Sequence, residues 1–156
     1  MQKVLYDKYC TAMFSTTYRI LSDKDMAHDS LQDAFIQVFR DIKSFKGNST
    51  LGAWIKTIVV RTALRKIKKE KLFVRWEEAD ITEFVEMPTI LNAEYLEKAI
   101  LSLSSGFRAV FLLIEVEGYS HKEVAKMLDI SVGTSKSQLF HAKRKLRDII
   151  HSKRFI

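Results

Sequence analysis

The sequence predicts an all-α protein made of two small helical domains joined by a linker, the C-terminal one a helix-turn-helix. Three observations predict it. Apolar residues recur at three- and four-residue intervals through both ends of the 156-residue chain, the period of a helix with one buried face. Strand signals are nearly absent, because β-branched runs are short and no Asn-Gly or Asp-Gly turn separates alternating segments. Charge also divides the chain. Residues 1–75 hold fifteen Lys and Arg against seven Asp and Glu, residues 76–97 (WEEADITEFVEMPTILNAEYLE) hold seven acids and no base, and residues 98–156 hold eleven bases against five acids. Two basic blocks flank an acidic stretch that carries the only proline, Pro88. The expected domains are therefore 1–72 and 95–156, with an acidic linker over 73–94.

The first helix is expected over 4–21. Ser22 then suits an N-cap, with Asp23 and Asp25 in the first turn, where the helix dipole favours acids. The helix that follows, DMAHDSLQDAFIQVFRDIKSF, puts Ala27, Leu31, Ala34, Phe35, Val38, Phe39 and Ile42 on one face. Its other face carries Asp29, Gln32, Asp33, Ile36 and Arg40. A solvated surface explains the polar members; Ile36 among them favours a protein partner, since an exposed apolar side chain gains from being covered.

Gly47 breaks the pattern, and Ser49 or Thr50 caps a third helix running to about residue 71. Its core stripe is Leu51, Trp54, Ile55, Ile58, Thr62 and Ile67, while Lys56, Arg61, Arg65 and Lys68 fall on other faces. Residues 56–75 hold eight bases and one acid. A helix so charged neutralises phosphates by releasing counterions, or it is a solvated positive end that suits the helix dipole. Just upstream, Lys46, Asn48, Ser49 and Thr50 form a polar loop beside Trp54. Hydrogen bonding and stacking there suit an unstacked base; turn and cap chemistry explains the same residues.

In the C-terminal block one helix is expected over 95–101 and a second over 107–115, with Val110, Phe111, Leu113 and Ile114 in its core. Glu117, Gly118 and Tyr119 make a turn. Ser120 and Glu123 form a capping box for a short helix that buries Val124, Ala125 and Leu128. Residues 129–131 turn tightly, and Ser131 caps a last helix with Leu139, Ala142 and Leu146 facing inward. A short helix, a tight turn and a longer polar helix is the arrangement that lays a helix in the DNA major groove. Gly133 allows close backbone approach, and Thr134, Ser135, Lys136, Ser137 and Gln138 lie near the helix start, within reach of base edges or phosphates. His141, Lys143, Arg144, Lys145 and Arg147 extend the cationic surface.

The formal charge of +7 suits a nucleic acid or another anionic surface. Cys10 is the only cysteine, which excludes an internal disulfide and a cysteine-based zinc site; its neighbours suggest a small buried residue. No run reaches the length of a membrane span, and the first residues lack a signal-peptide layout, so the expected compartment is the cytoplasm. An enzyme reading would start from His28-Asp29, the dipeptide of metal-dependent phosphohydrolases. The other histidines, at 121, 141 and 151, lie in the other block, so no ligand cluster is expected, and neither a cofactor nor catalysis.

DMAHDSLQDAFIQVFRDIKSFKGNSTLGAWIKTIVVRTALRKIKK resembles region 2 of the extracytoplasmic-function (ECF) class of bacterial sigma factors. GYSHKEVAKMLDISVGTSKSQLFHAKRKL resembles their region 4, and the order of the two blocks also matches. The resemblance implies a promoter-recognition subunit of RNA polymerase. Asp29, Gln32, Asp33, Ile36 and Arg40 would bind the clamp helices of the core polymerase. Lys46, Asn48, Ser49, Thr50 and Trp54 would capture a minus-ten base, with Lys56, Arg61, Arg65 and Lys68 on the adjacent DNA backbone. Ser120, His121, Ser131, Gly133, Thr134, Ser135, Lys136, Ser137, Gln138, His141, Lys143 and Arg144 would meet the minus-thirty-five element. The elements lie roughly 70 Å apart at ~34–36 Å per turn, and about 25 extended residues span roughly 80 Å, so the linker reaches. An anti-sigma factor is a further implied partner.

The chain departs from the family at Arg61-Thr62-Ala63, where Asn-Thr-Ala is frequent, and at Ser135 and Gln138, where Val and Arg are common. These bear on promoter sequence, not on fold. Two rivals stand beside this reading. A helix-turn-helix transcription factor of the response-regulator output type would need a receiver domain, and the N-terminal block has no strand-helix alternation. A sigma-like decoy for an anti-sigma factor would not need the basic residues of both blocks.

Overall fold

A computed structural model of the protein describes residues 1–69 and 93–152, residues 68 and 69 by backbone alone. They fall in two compact units, and no strand occurs among them. The acidic segment expected as a linker lies outside the described residues except for Ala93 and Glu94, which open a helix.

The N-terminal unit contains α1 (Gln2–Leu21), α2 (Lys24–Asp41), a 3-10 turn (Ile42–Ser44) and α3 (Leu51–Lys69). Each α-helix packs on the other two. Ser22 is not the N-cap of α2, as the sequence suggests. It ends α1 in the left-handed region (φ 56°), and its N–H donates to the Tyr18 carbonyl at 2.7 Å. Asp23, one residue later, is extended and accepts from the Met26 N–H at 2.9 Å. Ser22 is taken up as the left-handed C-cap of α1, so the extended residue that can cap α2 is Asp23, whose carboxylate also suits the positive helix end.

The core joins Met13 of α1, Leu31, Ala34, Phe35 and Val38 of α2, and Ile55, Ile58 and Val59 of α3. Truncating one of these, such as Leu31→Ala, costs about 2–5 kcal/mol. The predicted α2 face is the one buried. α3 buries more than its predicted stripe, because Val59, Val60, Ala63 and Leu64 are also inside. It packs against two helices, so two of its faces leave water. Near its start Gly52 lies under Tyr9, where an added Cβ would come within 3.2 Å of the ring. That small residue lets α1 and α3 close. Cys10 is half-buried, with Sγ 3.9 Å from the Asp7 carbonyl, rather than buried as expected.

The C-terminal unit contains α4 (Ala93–Leu101), α5 (Ser105–Phe111), a π turn (Leu112–Val116), α6 (His121–Leu128) and α7 (Val132–His151). α7 packs against α4, α5 and α6. The Tyr95 hydroxyl ties α4 to its far end, donating to the Ile149 carbonyl at 3.2 Å. Arg108, 4% exposed, is a cation inside this unit. Its guanidinium donates to the Leu103 carbonyl at 2.6 Å and reaches the Leu101 carbonyl at 3.5 Å, closing the turn after α4. Burial pulls its pKa below the ordinary arginine value.

Gly118 (φ 80°) ends the π turn. Ser120 then caps α6 by accepting from the Glu123 N–H at 3.1 Å, as the capping box predicts. Asp129 makes the left-handed turn residue (φ 57°) between α6 and α7, a place Gly usually fills. Ser131 caps α7 through the Thr134 N–H at 2.9 Å.

Candidate partner and nucleic-acid interfaces

On the N-terminal unit, Asp29, Gln32, Asp33, Ile36 and Arg40 are all exposed along α2. Ile36 is 56% exposed, an apolar side chain amid charges. A groove between α2 and α3 is lined by Asp29, Asp33, Ile36 and Arg40 together with Met26, Gln37, Thr62, Arg65 and Lys66. Lys66 pairs with Asp33 at 3.3 Å, a solvent-exposed pair worth little stability. Arg65 donates to Gln37 Oε1 and to Thr62 Oγ1, each at 3.1 Å. Arg65, which the sequence grouped with the DNA-backbone residues, is exposed, and its guanidinium lies in the groove beside α2. Met26, Gln37 and Lys66 were not foreseen there. Lys66 is four residues past Thr62, so one helical face was the available signal.

The loop before α3 exposes Lys46, Asn48, Ser49 and Thr50, and Gly47 (φ 75°) makes its left-handed turn. Thr50, not Ser49, caps α3, accepting from the Ala53 N–H at 3.1 Å. Trp54 is less available than its sequence context suggests. It is half-buried, packed on the core, with its ring 5.4 Å from Phe45. Farther along α3, Arg61 is exposed and Lys56 half-buried. Lys68 is in the last turn, and its side chain lies outside the described residues.

At the helix-turn-helix, Ser120, Ser131, Lys136 and Arg144 are exposed, while His121, Gly133 and Thr134 are partly so. Three residues expected on the DNA-reading face are inside the unit: Ser135 is 0%, Ser137 1% and Gln138 1% exposed. With Ala142, Leu146 and Ile149, Ser135 and Gln138 form the buried stripe at three- and four-residue spacing. The pattern was hidden because two of its positions are polar. Ser137 donates to the Thr134 carbonyl at 3.1 Å. Ser135 Oγ lies 2.8 Å from His121 Nδ1, joining α7 to α6.

Lys143 Nζ contacts Glu115 of the π turn at 2.6 Å; nothing in the sequence singled out Glu115. The His141 ring lies between Phe107 (centroid distance 6.2 Å) and Phe140 (5.3 Å). Burial, then nearby Arg144, pushes its pKa below the ordinary histidine value. His28, the other half of the weak phosphohydrolase dipeptide, is exposed with its ring 4.5 Å from that of Phe14. Among the described residues no three His, Cys, Asp or Glu gather to hold a metal.

A helical unit with an exposed mixed groove, and a second unit built on a capped helix-turn-helix, place the chain in the class of two-unit all-α proteins. Family models narrow the class. Sigma-70 region 2 matches residues 5–73 and Sigma-70 region 4 matches residues 93–146. The chain belongs to the sigma-70 family, and among the curated relatives it is similar to are ECF sigma factors. It is 26% identical over 125 residues to the ECF RNA polymerase sigma factor SigM of Mycobacterium tuberculosis, covering 80% of this chain and 64% of that one. To SigE of Mycolicibacterium smegmatis it is 26% identical, over 94% of this chain and 60% of the other. The chain thus spans somewhat under two thirds of the length of these relatives. In fold it is similar to the sigma factor RpoE of Bartonella quintana, solved in complex with the anti-sigma factor NepR (TM-score 0.60, 22% identity, 96% of each chain). No helix among the described residues is long and apolar enough to cross a membrane.

Proposed function

We propose that this chain binds core RNA polymerase, recognises a minus-thirty-five and a minus-ten promoter element, and stabilises the melted strand, with no catalysis of its own. Its place of action is the cytoplasm, where core polymerase and promoter DNA are. The observation that carries the reading is the pairing, on one chain, of the exposed α2 face around Ile36 with the exposed start of a capped α7.

The α2–α3 groove suits a helical protein partner: an apolar centre at Ile36 and Met26 flanked by Asp29 and Asp33 and by Arg40 and Arg65. Covering Ile36 supplies affinity, and the flanking charges set orientation. Core polymerase is the partner assigned to it. An anti-sigma factor that covered the same face would compete with polymerase, which is how such a partner would silence the chain. Lys46, Asn48, Ser49 and Thr50 offer hydrogen-bonding groups to an unstacked base, with Trp54 one turn into α3 and Lys56 and Arg61 on the adjoining backbone. At the second element, Thr134 and Lys136 are the residues assigned to base edges. Ser120, His121, Ser131 and Arg144 are assigned to phosphates, with Gly133 permitting close approach. The domains are assigned as residues 1–72 and 95–156.

The test is reconstitution with sigma-free core polymerase on a library of random promoters. Transcripts that share one two-element motif are expected. Core binding without transcription would overturn promoter recognition and favour a decoy; DNA binding without core binding would favour an ordinary helix-turn-helix regulator.

A further inference from the structure

A buried hydroxyl needs an acceptor for its proton. Ser135 is fully buried, and its one side-chain hydrogen bond among the described residues is the 2.8 Å contact to His121 Nδ1. Nδ1 is therefore the acceptor for the hydroxyl proton. A neutral imidazole that accepts at Nδ1 carries its own proton on Nε2, across the ring.

Protonating the ring would place a hydrogen on Nδ1, facing the hydroxyl proton. It would also add positive charge where Lys136 and Lys143 face the ring from α7, with Glu115 on the π turn opposing them. Burial first, then the two lysines, push the His121 pKa below its ordinary value, which agrees with the geometry. His121 stands in the first turn of α6, next to the exposed N-cap Ser120, and is itself partly exposed.

We infer that Ser135 fixes His121 as the neutral imidazole with its proton on Nε2, so that the start of α6 offers an uncharged N–H to a phosphate of DNA lying along α7. The phosphate half rests on the proposal that α7 reads DNA; the tautomer half does not. A neutral donor adds a hydrogen bond without releasing a counterion, so its signature differs from that of a lysine. It also gives Ser135 a role in DNA binding that its burial conceals: a positioning residue acting through the ring.

The tautomer is measured first, without DNA, by nitrogen NMR of the full chain labelled at histidine. A protonated Nε2 and a bare Nδ1 are expected at neutral pH, and S135A should give a mixture of tautomers and raise the protonation midpoint. A wild-type ring protonated at Nδ1, or a ratio that S135A leaves unchanged, overturns the inference. The phosphate contact is then read on a random-sequence DNA duplex. H121A should weaken binding about tenfold with the dependence of log affinity on log salt unchanged, whereas K136A should lower that slope by ~1. Unchanged affinity in H121A, or a fall in its slope, overturns the neutral contact. A wild-type chain that fails to bind the duplex even at low salt overturns the DNA reading of α7 and the phosphate contact with it, and the tautomer result, obtained without DNA, tells that failure apart.

Discussion

The two units differ in what their buried polar side chains hold together. In the N-terminal unit the buried polar residues turn back on their own helices: Thr17 donates to the Met13 carbonyl at 2.8 Å and Thr62 to the Ile58 carbonyl at 2.8 Å. Ser30, also buried, has no hydrogen-bond partner. Among the described residues, the hydrogen bonds of its buried Thr17 and Thr62 stay within one helix, and the core between the helices is apolar packing. In the C-terminal unit Ser137 also turns back on its own helix, but two other buried polar groups join separate elements: Arg108 closes the turn after α4, and Ser135 ties α7 to α6. A core of methyl groups fixes helices by volume, whereas one of directed bonds fixes their angle and register as well. In the proposed function the second unit presents a helix to a groove of set geometry, where a small misplacement would lose contacts.

The sharpest way to break this comparison is at Arg108. R108M keeps most of the stem and removes the guanidinium, leaving the Leu103 and Leu101 carbonyls short of a donor in a buried place. A loss of about 3 kcal/mol is expected, read by hydrogen exchange as earlier opening of α4 and α5 while α1–α3 keep their protection. Equal loss in both units would mean that Arg108 does not act locally.

Ile36→Asp comes next. Ile36 is exposed, so stability should move by no more than about 0.5 kcal/mol. Affinity for core polymerase should fall tenfold or more, about 1.4 kcal/mol, measured by competition for core. Retained affinity would remove the α2 face from the polymerase interface.

Ser30→Ala sharpens the contrast from the other side. Deleting an unpartnered buried hydroxyl should stabilise the N-terminal unit by about 1 kcal/mol, seen as a raised denaturation midpoint, whereas S135A in the other unit should be neutral or destabilising.

The smallest effect concerns pH. The pKa values of His121 and His141 are both lowered in the folded protein, so below about pH 6.5 the unfolded chain binds more protons than the native one. Stability is then full above the unfolded value and is lost as pH falls through the folded ones. A urea midpoint followed by backbone NMR should drop at acid pH for the C-terminal unit, and H141F should make that drop shallower.

What the sequence revealed follows the same division. The α2 face was legible because every buried position but Ser30 is apolar, so periodicity found it. The caps at Thr50, Ser120 and Ser131 were legible from side-chain chemistry next to an apolar run. The second buried face of α3 was not, because periodicity of one helix does not say how many neighbours it has. In α7, Ser135 and Gln138 looked like readers of DNA since polar residues near a helix start usually meet solvent, and only packing shows that they belong to the buried stripe. The π turn and the part played by Glu115 had no local signal. The groove residues Gln37, Arg65 and Lys66 come from two helices, and their meeting depends on how those helices pack.

The contact between Lys143 and Glu115 has a consequence for how tightly DNA is held. Most surface cations drop a mobile ion when a phosphate arrives, and the freed ion's wandering drives the exchange. Lys143 has a resident counterion, tethered to the protein, which gains little disorder by letting go and stays behind to repel the newcomer. Of the basic residues on α7, this one should therefore add least to the ionic-strength sensitivity of the complex. On the proposed reading, the face would then hold DNA less tenaciously than its basic residues alone suggest.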